Sequence, residues 1–362
     1  MKSPRVLILV RKGHEYTNQM PNGTMKAGLL NSASFIKETL IKDLHIPAHL
    51  EICVDGNDVD RKIHKYKPTH CFLEAIWVTP AKLKELAYLH PKVDFVVRIH
   101  SKIPFLANEG IALQWIKEYF EIGGNVSIAF NNVHTHKDFR HIGIDNDYLP
   151  NVYKVELAYK PSILGIILDV LKDKFICFPN NTINVGCFGA IRPLKNQLLQ
   201  AVAAMQYADK HDLTLRFHIN GTRLEQRGEV VLKNIRALFK DTRHVLVEHS
   251  WMSHMEFLKL IKKMDIGLQL SFTESFNIVT ADFVASRVPV IVGKDIEWMN
   301  KHAKCDPNNV DKVVEKMEYA LRHRRLVARL NLESLINYNH ISTEVWREYF
   351  LSYAIVPQQI DC

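Results

Sequence analysis

Short apolar runs alternate with longer amphipathic stretches along this chain. Residues 6–10 (VLILV) are followed by a helical pattern at 32–44, residues 70–73 by one at 80–89, and residues 95–99 by one at 111–120. A short apolar run followed by a helix-length amphipathic stretch is the signature of a β-α-β unit, so the first half predicts a parallel sheet with helices on its faces. The rhythm restarts later: 183–188 then 194–207, 215–219 then 228–239, 244–247 then 254–264. Two doubly wound α/β domains follow. Between them, 145–181 is poorer in pattern, carries Pro150, Pro161 and Pro179, and holds one apolar helical piece at 163–171. The boundary belongs there, with 1–150 in the first domain and 151–340 in the second. The closing segment 342–353 (STEVWREYFLSY) opens on a Ser/Thr and Glu start signal and is rich in aromatic residues, which predicts a helix with a face to bury.

Composition adds little to this pattern. A chain of 362 residues, 47% hydrophobic and 24% charged, suits two packed domains. The first apolar run meets Arg11, Lys12 and Gly13 after five residues, too short for a signal peptide or membrane span, and reads as a buried first strand. Six scattered cysteines form no C-x-x-C pair and have no His-rich neighbour at zinc-ligand spacing, which predicts reduced thiols in a cytoplasmic setting. Charge changes the picture more. Lysine and arginine outnumber acids by 47 to 39, a net charge of +8 that favours a nucleotide, a nucleic acid or a membrane surface as partner, or simply a solvated basic surface.

In open α/β sheets ligands bind beyond the carboxyl ends of the strands, which narrows the candidates. After the first strand, a loop over 11–28 is longer than usual and leads into AGLLNSASF, so Gly28 and Leu29 open a helix that could face an anion or an acceptor sugar. His100 follows the strand at 95–99, placed to offer an imidazole N–H to a polar ligand. The segment 189–196 (GAIRPLKN) sets Gly189, Arg192 and Lys195 at a helix start, two cations suited to a diphosphate. The most informative stretch is 271–291. Glu274 lies in its loop, Asp282 about two turns into the following helix, and the backbone N–H groups between them could receive a phosphate.

At 271–291 the sequence resembles the retaining nucleotide-sugar glycosyltransferases of family 4. It shows the strand opening with Asp265, then Ser271, Glu274-Ser-Phe, a second acid eight positions later at Asp282, and Ala285-Ser-Arg-Val-Pro289-Val-Ile. The likeness extends through the turn at 189–195, the strand end His218-Ile-Asn220-Gly221, Val247-Glu248-His249 and the Met255-Glu-Phe-Leu helix. It is looser in the first half, where it rests on Gly28, VRIH ending at His100 and YLPN ending at Asn151. The resemblance implies a GT-B fold: two Rossmann-like domains facing across a cleft, with the last helix (341–362) crossing back to the first. It implies that Lys195 binds the donor diphosphate, Glu274 the sugar hydroxyls and Asp282 the ribose. The amides of Ser275, Phe276, Asn277 and Ile278 would hold the phosphate or sugar, Gly189, Arg192 and Asn220 would line the donor side, and His100 would approach the sugar from the other domain. Transfer with retention is implied, without a metal or protein nucleophile, the nucleoside diphosphate sugar being a co-substrate.

This sequence departs from the family in having Asp282 for Glu, Ala190 for an arginine and Asn277 for a glycine. Asparagine tolerates left-handed backbone geometry better than most residues. The overall pattern is also similar to glycosyltransferase-like proteins of bacteriophage genomes, which implies a host cytoplasmic setting and a hydroxymethylated pyrimidine in DNA as acceptor. A glycan or lipid-linked acceptor, or a catalytically silent module that binds nucleotide-sugar or nucleic acid, are the alternatives.

Overall fold

The computed structural model describes residues 3–12, 27–155, 178–250 and 252–355. The apolar piece expected at 163–171 and most of the loop expected at 11–28 lie outside these residues. Two compact units divide the chain, Met1–Lys154 with Tyr338–Cys362, and Val155–Asn337.

The first unit is built on six strands: β1 (Val6–Arg11), β2 (Ala48–Cys53), β3 (His70–Glu74), β4 (Asp94–Ile99), β5 (Val126–Phe130) and β6 (Asp147–Tyr148). All pair in parallel in the order β2-β1-β3-β4-β5-β6. The apolar run of β1 is explained by burial on both faces, since successive side chains alternate across a sheet. Leu7 and Leu9 pack with Val59, Ile63, Leu83 and Ile116 from the helices Gly56–Tyr66, Pro80–Leu89 and Ala112–Ile122. Val6, Ile8 and Val10 pack on the other face with Ala33, Ile36 and Leu40 of the helix Ala27–Lys42. Trp346, Tyr349 and Phe350 join that second face, and Trp346 Nε1 donates to the Pro150 carbonyl at 2.9 Å.

Those aromatics belong to a single helix, Arg324–Ile355, so the start expected at Ser342 is corrected. The Thr343 hydroxyl donates to the Asn339 carbonyl one turn back at 2.9 Å, which satisfies it inside a continuous helix instead of at a cap.

The second unit holds β7 (Thr182–Gly186), β8 (Thr214–Ile219), β9 (Val245–Glu248), β10 (Ile266–Gln269), β11 (Val290–Gly293) and β12 (Lys304–Cys305). Their order, β12-β11-β10-β7-β8-β9, is the dinucleotide-binding order in which the sheet grows one way from β7 and then the other way from β10. The helix expected over 194–207 starts later, as Gln197–Lys210. A 3₁₀ turn, Pro193–Lys195, precedes it, and Asn196 interrupts with a left-handed φ of 54°. Cys53, Cys71, Cys187 and Cys305 are buried and unpaired. Among the described residues no helix is long and apolar enough to cross a membrane.

Candidate active site

The crevice that binds ligands in such sheets opens where the strand order reverses, here between the carboxyl ends of β7 and β10. The loops leaving those two strands carry most of the candidate residues. Gly189 turns with φ +113°, a conformation that side chains rarely adopt, and its N–H donates to Asn220 Oδ1 at 2.8 Å. Asn220 thus holds the turn from the end of β8. Arg192 Nη1 reaches Glu225 Oε2 at 3.1 Å, so its charge is already shared.

Lys195 lies in the 3₁₀ turn, not at a helix start, and its ammonium donates to Glu274 from the β10 loop. The two side chains are 12% and 10% exposed. The loops are tied a second time where Phe272 N–H donates to the Leu194 carbonyl at 2.9 Å. The cation read as diphosphate-binding and the acid read as sugar-binding therefore meet at the switch point. Ser271 and Thr273 precede Glu274 in the same loop, 2% and 4% exposed, and their hydroxyls have no hydrogen-bond partner among the described residues. Buried polar atoms left in this way are uncommon and mark a place where a ligand group could complete the bonding.

Asn277 adopts φ 56°, as the glycine it replaces would. Its side chain then does two jobs: Oδ1 accepts from Thr280 N–H at 3.0 Å as the cap of the helix Ile278–Ala285, and Nδ2 donates to Gln269 Oε1 at 3.1 Å. Phe276 is buried and stacks on Trp298, whose Nε1 donates to the Phe276 carbonyl at 2.8 Å. Ser275 completes the loop, half-buried, and Ile278 opens the helix.

Asp282 is 3% exposed and lies just over one turn into that helix rather than two. Its Oδ1 meets His254 Nε2 at 2.7 Å, and this bond raises the imidazole's pKa above its ordinary value although burial opposes it. Glycines fix the height of this helix over the sheet. Gly267 of β10 pairs in register with Gly186 of β7, and a Cβ on either would come within 3 Å of the Phe283 ring. Only bare backbone there lets Phe283, and with it Asp282, sit this close.

In the first unit, His100 leaves β4 with its side chain 16% exposed and its Nε2 2.5 Å from Glu74 Oε2. Its Nδ1 lies 3.4 Å from Asn131 Nδ2, a donor, so the ring is assigned as the neutral tautomer with its proton on Nε2. Burial and the Arg98 guanidinium beside it hold the His100 pKa below the usual range. Glu74 is fully buried. Burial opposes its charge, but Arg98, bonded at 2.8 Å, and His100 pull its pKa below normal. Arg98 also donates from Nε to the Leu149 carbonyl at 2.9 Å and bonds Asn151. The expected His100 donor is thus engaged by Glu74, a residue that no motif singled out. Gly28 lies in the first turn of Ala27–Lys42 and Leu29 packs half-buried against the core. The loop that would bring an acceptor to them, 13–26, is outside the described residues.

No protein-family model matches the sequence, and no curated protein does either. Solved structures match nearly the whole chain. The N-terminal domain of trehalose-6-phosphate phosphatase from Candida albicans superposes with a TM-score of 0.63 at 13% identity, covering 98% of each chain. A glycosyltransferase from Rickettsia africae ESF-5 gives 0.61 at 15% identity over 99% of this chain and 100% of that one. A structure described as trehalose-6-phosphate from E. coli bound with UDP-2-fluoro glucose gives 0.57 at 12% identity, covering 98% and 100%. Likeness at this identity establishes architecture, and the chain has the GT-B fold, two Rossmann-like domains each with a six-stranded parallel sheet.

Proposed function

We propose that this chain transfers a sugar from a nucleoside diphosphate sugar to a hydroxyl acceptor with retention. The observation that carries the reading is the pair Lys195–Glu274 at the switch point of the second sheet, flanked by the orphaned hydroxyls of Ser271 and Thr273. The E. coli relative's structure holds UDP-2-fluoro glucose, a ligand with the diphosphate that Lys195 would neutralise. On this reading Lys195 exchanges Glu274 for the diphosphate as donor arrives, which frees the Glu274 carboxylate to accept from sugar hydroxyls. The amides of Ser275 to Ile278 receive the phosphate or sugar, and Asp282 accepts from the ribose. Gly189, held by Asn220, keeps the turn flat enough for a phosphate to approach backbone. Arg192 would have to exchange its Glu225 partner to add positive charge for the diphosphate. His100, oriented by Glu74, is the first domain's candidate for a bond to the sugar. The acceptor oxygen bonds the anomeric carbon as that carbon's bond to the diphosphate breaks, and the departing diphosphate oxygen takes the acceptor's proton, so no protein nucleophile is required.

Transfer to a hydroxymethylated pyrimidine in phage DNA rests on the phage-type resemblance alone, and the target base would have to leave the helical stack to react. The test incubates the protein with UDP-, GDP-, ADP- and dTDP-sugars and, separately, with sugar-phosphate, glycan and hydroxymethylcytosine-DNA acceptors, reading products by mass spectrometry. Mass gain on one acceptor with release of nucleoside diphosphate is the expected result. Donor binding by calorimetry with no turnover on any acceptor would favour the silent module, and no binding of any donor would refute both.

A further inference from the structure

The helix Gly56–Tyr66 carries Asp60 and His64 one turn apart, on the same side of the helix. His90, the residue that closes the helix Pro80–Leu89, completes a cluster whose ligand atoms all lie within 4.8 Å of one another. His90 Nε2 is 2.7 Å and His64 Nε2 3.5 Å from Asp60 Oδ1, and the two imidazole centroids are 5.1 Å apart. The neighbouring acids are taken by cations: Asp58 by Arg61 at 2.5 Å, Glu51 by Lys62 at 2.5 Å and Lys65 at 3.8 Å. On a helix this basic, Asp60 makes its ion pairs with imidazoles only, among the described residues.

We propose that Asp60, His64 and His90 form a zinc site that ties the helix Gly56–Tyr66 to the end of the helix Pro80–Leu89. Two imidazoles and one carboxylate are a donor set suited to Zn²⁺ and ill suited to Mg²⁺ or Ca²⁺, which take oxygen ligands. Zinc bonds of ~2.05 Å at the tetrahedral angle separate ligand atoms by about 3.3 Å. The His64–Asp60 distance of 3.5 Å already fits, and the His90–Asp60 contact opens from 2.7 Å by about 0.6 Å to admit the ion. Side chains alone can supply that movement, because the His64 side chain is 73% exposed and Asp60's 38%. The exposed side leaves the fourth position to water. A cation here would replace one hydrogen bond between the two helices by three bonds to a shared centre.

The full chain, stripped with a chelator and dialysed, is titrated with Zn²⁺ against a chromophoric zinc indicator. His64→Ala and His90→Ala are titrated alongside, and circular dichroism checks each fold. The proposal requires one equivalent of zinc bound by the parent, an affinity at least about tenfold weaker in each variant because one of three ligands is gone, and no competition from millimolar Mg²⁺. His64→Ala keeps the test open if His90→Ala misfolds, since the His64 side chain is exposed and its contacts are with Asp60 and the His90 ring. Zinc uptake equal in parent and His64→Ala, or no uptake by the parent, overturns it.

Discussion

Lys195 and Glu274 make predictions of opposite sign, which a merely structural ion pair does not. Lys195→Met removes the cation and leaves the Glu274 carboxylate 10% exposed without its partner, facing an incoming diphosphate. A unit charge ~4 Å from another at an effective dielectric near 20 is worth about 4 kcal/mol. Water and the competing Glu274 reduce this to about half, so binding of the nucleoside diphosphate should weaken by about 2 kcal/mol, roughly thirtyfold in Kd. Glu274→Gln removes the competitor instead. The nucleoside diphosphate should then bind as well as before or up to about tenfold tighter, as one repulsive charge is lost, while sugar transfer falls steeply. Isothermal titration at physiological ionic strength, with circular dichroism to confirm that both variants fold, reads the two constants. Equal weakening in both variants would show that the pair only braces the two loops. An unchanged Kd in Lys195→Met would remove Lys195 from the donor site.

Three further outcomes follow from the packing and the titratable groups. The His254 pKa is raised in the folded state by its bond to Asp282, so the bond's stabilisation is complete below the unfolded pKa of about 6.5 and is lost as pH rises through the higher folded value. Thermal melts from pH 6 to 8 should fall more steeply for the parent than for His254→Gln, and parallel curves would count against the linkage. Gly267→Ala puts a methyl 2.8 Å from the Phe283 ring, which overpacks the helix carrying Asp282 and should cost about 1–3 kcal/mol in urea unfolding together with weaker donor binding. Wild-type values for both would show that the helix can lift without consequence. Trp346→Ala empties a side chain that is 1% exposed and removes its bond to Pro150, so a loss of about 3–5 kcal/mol is expected by denaturant titration; a loss below about 1 kcal/mol would mean that the last helix is not needed on the first sheet.

The strands read most easily from sequence were those buried on both faces. VLILV of β1 declares itself, whereas AHLEIC of β2 does not, because only its end residues are buried and its middle is half-exposed. The helix Gly56–Tyr66 escaped for the same reason, being strongly polar with only Val59 and Ile63 buried. In the candidate site, Lys195, Glu274 and Asn277 were legible because each sits in a loop at the carboxyl end of a strand, where residue type answers to backbone geometry and charge. Glu74 was not, since a buried acid at the end of an apolar strand has no signature until Arg98 and His100 from the next strand are known to meet it. His254 was read only as part of a helix; a histidine behind a serine start signal gives no hint of an aspartate 28 residues away. Asp60 and His64 stand at i,i+4 in sequence, but His90 joins them only through helix packing.

Two parallel α/β sheets and the loops that carry candidate chemistry follow from local sequence, because apolar periodicity and turn residues act over a few neighbours. Position 277 also suits a left-handed backbone on residue type, since asparagine tolerates that conformation better than most residues. Which charges are already paired emerges only from the folded chain. Lys195 with Glu274, Arg192 with Glu225, His254 with Asp282 and Glu74 with Arg98 and His100 all join residues from separate loops, helices or strands. Such pairs depend on strand order, and strand order is fixed by the packing of the whole sheet, which no local window contains.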